Sequence, residues 1–183
     1  MPDNRRGRLL VAAPALVDPN FHRAVVLLLE HSADGALGVV LNRPTELSAR
    51  EALPGPLGDA LPEDELVHRG GPVQPDAVIV LADFDDPSLA AGVACGTVGI
   101  VDPEGDMEAL AGATRAMRAF GGYAGWTAGQ LEQEIAEEAW VDAVCLPSDV
   151  FTTAPESLWA TVLDRKGGSW KLVARMPPDP SLN

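Results

Sequence analysis

Lysine is almost missing from this chain. Of thirteen basic residues only Lys166 and Lys171 are lysines, against twenty-seven acids, which leaves a formal net charge of −14. So acidic a domain repels phosphate backbones and anionic membrane surfaces, which argues against duplex nucleic acid or lipid as a partner. Cysteine is scarce too. Cys95 and Cys145 stand alone, in no CxxC pair, which excludes a disulfide framework and fits a reducing cytosol. Cys145, inside the apolar run VDAVCL, reads as a small buried hydrophobe. The three histidines, His22, His31 and His68, form no HExxH, and no GxSxG elbow exists. No apolar run reaches the roughly 18 residues of a membrane span.

What is present is a set of apolar runs. Hydrophobic residues make up 46% of 183 residues, enough for one domain with a sizeable core. Leu9–Ala13, Ala24–Glu30 and Ala36–Leu41 lack polar alternation, the pattern of strands covered on both faces. Ser32-Ala33-Asp34-Gly35 between the last two is a hairpin signal. Arg5-Arg6-Gly7-Arg8 before Leu9 has the look of a twin-arginine signal. Pro14 cuts its apolar stretch short and no small-residue cleavage site follows, so the segment reads as a first strand.

Further along, Ser48 is expected to cap a short helix over Ala49–Leu53, and the Pro- and Gly-rich residues 54–65 read as an exposed loop. Leu66–His68, Ala77–Leu81, Gly92–Ala94 and Val98–Val101 read as strands. Met107, Leu110, Thr114, Met117 and Phe120 fall at three- and four-residue spacings, which predicts a helix over 107–120 stopped by Gly121-Gly122. Two capping boxes, Thr127-Ala-Gly-Gln130 and Thr153-Ala-Pro-Glu156, predict two more helices. Val141–Leu146 and Ser169–Arg175 read as strands. The expected fold class is α/β, with layered helices on a mixed, partly antiparallel β-sheet. The expected organisation is a loose tail over 1–7, a single domain over 8–176 and a proline-rich tail over 177–183.

The acidic string Asp102 to Glu108 lacks the glycine and terminal glutamate of a calcium loop, so helix-start electrostatics account for it and no metal is expected. Glu134, Glu137 and Glu138 read as a wet helix face. Two glycine-rich turns, Arg69-Gly-Gly-Pro72 and Gly121-Gly-Tyr-Ala-Gly125, are able to present amides to an anion. Close backbone packing against the sheet is the simpler account.

Taken together, PALVDPNFHRAVVLLLEHSADGALGVVLNRP, RGGPV at 69–73 and GGYAGWTAGQLEQEIAEEAW at 121–140 resemble the YqgE/AlgH family of bacterial proteins, and the closing PPDPSLN is similar to the tail of actinobacterial members. The resemblance implies one cytoplasmic α/β domain in a family without accepted catalytic residues or cofactor, one branch of which carries a transcriptional-regulator label. It points to a regulatory or binding module with a protein or small-molecule partner. The alternative is an unrecognised hydrolase or transferase near His31, Asn42 and Tyr123. Seven polar motif residues at strand ends and helix starts, Arg23, His31, Asn42, Arg43, Tyr123, Trp126 and Gln130, are expected to converge on one concave ligand-binding surface.

Overall fold

The computed structural model describes residues 3–179. The predicted hairpin is present: β2 (Val25–Ser32) pairs antiparallel with β3 (Gly35–Val40). β1 (Arg8–Ala12) adds beside β2, and β10 (Trp140–Val144) beside β1. On its other side β3 meets β9 (Thr114–Thr127), which pairs with β6 (Val73–Phe84). β8 (Val98–Ile100) and β7 (Gly92–Cys95) complete the order β10-β1-β2-β3-β9-β6-β8-β7. β4 (Pro44–Ser48) pairs with β5 (Leu66–Arg69), whose parallel contact with β9 makes the otherwise antiparallel sheet mixed.

The sheet curls. One face of its strands forms a single core: Leu9 and Val11 of β1, Leu27 and Leu29 of β2, Phe120 of β9, Val98 of β8 and Cys95 of β7. α6 (Pro155–Lys166) fills the hollow with Leu158, Trp159, Val162 and Leu163, and the Trp159 indole donates to the Ala12 carbonyl at 2.8 Å. The other face carries two separate caps. α4 (Gln130–Ala136) covers Leu10, Val26, Leu28 and Trp126. α1 (Ala49–Ala52), α2 (Pro56–Ala60) and α3 (Met107–Gly112) cover Val80, Phe84 and Met117. Strands with both faces buried need continuous apolar sequence, which is why β1 to β3 read so plainly.

Curling brings the two ends of the sheet together. The Arg6 guanidinium donates to the Val93 carbonyl of β7 at 2.8 Å, and a Cβ on Gly7 would run into the Ala94 carbonyl. Across α6, Arg165 and Lys166 donate to the Val144 and Asp142 carbonyls of β10, at 3.0 and 2.6 Å. Both edges are thus blunted by cationic side chains.

Several expectations fail, each for a physical reason. Layered helices on a sheet give way to a curled sheet with short helices. The predicted 107–120 helix is α3 followed by a strand. Pairing with the long β6 overrides the helical spacing, and Arg115 and Arg118 bond Asp83, Asp85 and Glu65 instead of a helix end. Segment 169–175 is not a strand, because the β10 edge is already occupied. Trp170–Val173 is a helical turn, α7, with Trp170 and Val173 against the core. Residues 54–65 are not an exposed loop, since Leu61 is fully buried and α2 lies within them. The 1–7 tail is tied down from Arg5: its amide donates to His31 Nδ1 at 3.0 Å and its guanidinium pairs with Asp142. Of the predicted C-terminal tail, Pro177 and Pro178 line a recess with Arg23, next to the Met176 carbonyl that Arg23 bonds, and residues 180–183 fall outside the described part.

Both capping boxes also change. α4 starts at Gly129, with φ +76°, and the Gln130 side chain accepts from the Thr127 amide at 3.0 Å, so only half of the box forms. At α6 the N-cap is Ala154, with no side-chain cap, and the Thr152 hydroxyl accepts from its amide at 3.1 Å. Ser48 stands at the N-cap of α1 without bonding an amide. Asp106 does cap α3, accepting from the Glu108 and Ala109 amides at 3.0 Å each, as helix-start electrostatics predicted.

Candidate functional site

The seven expected site residues separate into two groups, at opposite ends of the β2–β3 hairpin. At the far end His31 is sealed. Its Nδ1 accepts from the Arg5 amide, so Nε2 carries the hydrogen donated to Glu132 at 2.6 Å. Nearby, the Trp126 and Trp140 indoles both donate to Glu134 Oε2, at 2.9 and 2.8 Å, and the Gln130 amide donates to Glu134 Oε1 at 3.0 Å. Glu134 therefore ties α4 down and is not part of a wet face. These bonds hold α4 and the far end of the hairpin to the sheet.

At the near end, beyond Val25 and so six strand residues or about 20 Å from His31, lie Arg23, Asn42 and Arg43. The Asn42 amide is buried and bridges the strands, accepting from Val25 N at 3.0 Å and donating to the Arg23 carbonyl at 2.8 Å. Tyr123 lies on β9, half-buried against the inner core. His31, Asn42 and Tyr123, the set an enzymatic reading needs, share no recess.

The near end is shaped by two glycine pairs. A Cβ on Gly70 would strike the Gly122 carbonyl, one on Gly71 the Tyr123 carbonyl carbon, and one on Gly122 the Gly71 carbonyl. The pairs exist because two backbones cross here, and the Gly70 amide is spent on Gly121 O at 2.8 Å. Both glycine turns are thus spent on close backbone packing, the simpler of the two readings of the sequence. The crossing wedges β5 between β3 and β9, with Val40 N donating to Gly70 O at 2.8 Å. Its effect is to carry Arg69 up to Arg43.

Arg43, Arg69, Asn20, Pro19, Val40, Gly71 and Pro72 line a recess of about 30 Å³. Arg43 donates to the His22 and Asn42 carbonyls, and Arg69 to Asn20 Oδ1 at 3.3 Å. Burial, followed by the neighbouring Arg69 charge, holds the Arg43 pKa below its usual value. Among the described residues neither guanidinium lies within ion-pair distance of a carboxylate. Two unneutralised cations side by side, in a chain of net charge −14, are a concentrated positive spot. Across the Pro14–His22 loop a second recess, of about 130 Å³, holds Arg23 over the Trp159 ring at 4.2 Å, with Arg23 also donating to the Met176 carbonyl. Arg23 has φ +56° and Gln74, after Pro72, φ +45°, so local strain collects at this end. Sequence reasoning placed Arg43 and Arg23 among the site residues but passed over Asn20 and Arg69. The signal for Arg69 was its place in the RGGP element.

A family model described as AlgH-like matches residues 9–171. The chain belongs to the AlgH-like family. A protein named UPF0301 from Streptomyces avermitilis is 47% identical to it, covering 97% of this chain and 94% of that one. A Mycobacterium tuberculosis relative of the same name is 39% identical, covering 98% and 91%. Among solved structures, a Corynebacterium diphtheriae protein superposes with TM-score 0.84 at 28% identity over 93% of this chain and 91% of that one. The AlgH protein of Pseudomonas aeruginosa gives 0.71 at 32%, over 97% and 96%. Among the described residues of this AlgH-like chain, no helix is long and apolar enough to cross a membrane.

Proposed function

We propose that this AlgH-like protein is a binding module that captures a small molecule through a compact anionic group, carboxylate or phosphate, at the Arg43–Arg69 recess. The observation that carries this is a guanidinium pair that has no carboxylate partner among the described residues. Planar N–H forks match the oxygens of either anion, and a recess of this size admits one such oxygen at a time. Regulation then follows from occupancy of the site and not from contact with DNA. Several of the remaining arginines are engaged by acids: Arg5 and Arg8 by Asp142, Arg115 by Asp83 and Asp85, Arg118 by Glu65, Arg165 by Asp149. The free thiols support a cytoplasmic setting.

The test titrates isotope-labelled protein with inorganic phosphate and with citrate, following arginine Nε–H and backbone amide resonances. Saturable movement of Arg43, Arg69 and Gly71 is expected, with binding weakened about tenfold or more in Arg69→Gln. Equal movement at the carboxylate-paired Arg115, or none at Arg43 and Arg69, overturns the reading.

A further inference from the structure

The two cysteines lie where the ends of the sheet meet. Cys95 ends β7, and Cys145 follows β10, at opposite ends of the strand order. The Cys95 thiol donates to the Cys145 carbonyl at 3.3 Å, across 50 residues of sequence. Both are free and buried. Neither lines the anion recess, and both sit in one apolar cluster with Leu9, Val98 and Val141.

We propose that Cys95 and Cys145 are a peroxide-responsive dithiol, which closes to an intramolecular disulfide and staples β7 to the β10 end of the sheet. The oxidant class is a hydroperoxide. The Cys95 thiol gives up its proton and the thiolate attacks one peroxide oxygen; an S–O bond forms, the O–O bond breaks, and the leaving hydroxide takes that proton and departs as water, giving a sulfenic acid. The Cys145 sulfur then attacks the Cys95 sulfur. The S–S bond forms, the S–O bond breaks, and the Cys145 proton leaves with the hydroxyl as a second water. Two thiols lose two electrons, and one hydrogen peroxide becomes two waters.

The order of the two sulfurs follows from their surroundings. The Cys145 side chain favours the Cys95 thiolate and lowers its pKa, although burial and Asp149 oppose this. Cys145 is pushed up, first by the neighbouring Cys95 side chain and then by burial. Cys95 is therefore the attacking sulfur and Cys145 the resolving one. Access comes from the four-residue edge strand β7, which pairs only with β8 and carries a half-exposed Val93.

Intact protein is exposed to a few equivalents of hydrogen peroxide, then denatured and treated with maleimide. The wild type is expected to lose two hydrogens in mass and both reactive thiols, to form no disulfide between chains, to regain both thiols with dithiothreitol, and to melt at a higher temperature when oxidised. Cys145→Ala is expected to stop at Cys95 sulfenic acid, trapped by dimedone. Cys95→Ala is expected to keep Cys145 reduced over the same time. Retention of two thiols in the wild type, disulfide-linked dimers, or independent oxygen addition at the two sulfurs each overturns the proposal.

Discussion

His68 gives the protein a specific acid sensitivity. The imidazole is 4% exposed, tilted at 56° to the Phe120 ring with centroids 5.8 Å apart, and donates from Nδ1 to the Leu66 carbonyl at 3.2 Å. Burial, then the charge of Arg118, lowers its pKa from 6.5 to about 4, although the Leu66 bond opposes the shift. The unfolded chain therefore takes up a proton near pH 6.5 that the folded chain refuses until about pH 4. Stability from this group is intact above pH 6.5 and is lost as pH falls through that window. At 1.36 kcal/mol per unit, the loss attributable to His68 is about 2 kcal/mol between pH 7 and pH 5, approaching about 3 kcal/mol below pH 4. Urea titrations of the wild type and His68→Gln at pH 7 and pH 5 isolate this contribution, because every other titrating group is common to both. The variant is expected to lose about 2 kcal/mol less than the wild type over that interval. Parallel losses, or an NMR midpoint for His68 at or above 6, would refute the reasoning.

Two further substitutions probe the elements that hold the site's scaffold. Glu134→Ala leaves two indole N–H groups and the Gln130 amide without their shared acceptor, and is expected to cost about 2–3 kcal/mol in urea titration. Glu134→Gln, which keeps an oxygen there, should cost less than about 1 kcal/mol. Gly71→Ala places a methyl group on the Tyr123 backbone and is expected to cost about 3 kcal/mol or more, whereas Gly129→Ala, at φ +76° with open space around it, should cost about 1 kcal/mol. Thermal or chemical unfolding of the two glycine variants side by side separates backbone crossing from backbone conformation.

Sequence alone was most informative where burial is two-sided. Leu9–Ala12, Val25–Leu29 and Ala36–Val40 carry no polar relief because both faces are covered, and the SADG turn sets the hairpin register. It misled at 114–122, where only Thr114 is β-branched and Gly121-Gly122 mimics a helix stop. Those glycines answer to Gly70 and Gly71, fifty residues away, and no local pattern carries such a contact. The candidate site was half legible for the same reason. Asn42 and Arg43 announce themselves in the Asn-Arg-Pro that ends the hairpin, but Arg69 reaches Arg43 only through the crossing of β5 and β9. His31 and Trp126 are as polar in sequence as Arg43. Only their partners, Arg5, Glu132 and Glu134, reveal that they are spent on the fold.

The pairing of β1 with β10 has a consequence for synthesis. Arg8 sits opposite Val144, so the first strand to leave the ribosome waits for nearly the last. At 5–20 residues per second, roughly 130 residues of delay amount to about 7–25 seconds. Through that interval the hairpin shields one edge of β1, while the other edge and the inner face of Leu9, Val11, Leu27 and Leu29 await β10 and the α6 helix. A ribosome pause after residue 130 would leave that apolar surface uncovered, and a chain truncated there is expected to be held by chaperones or degraded.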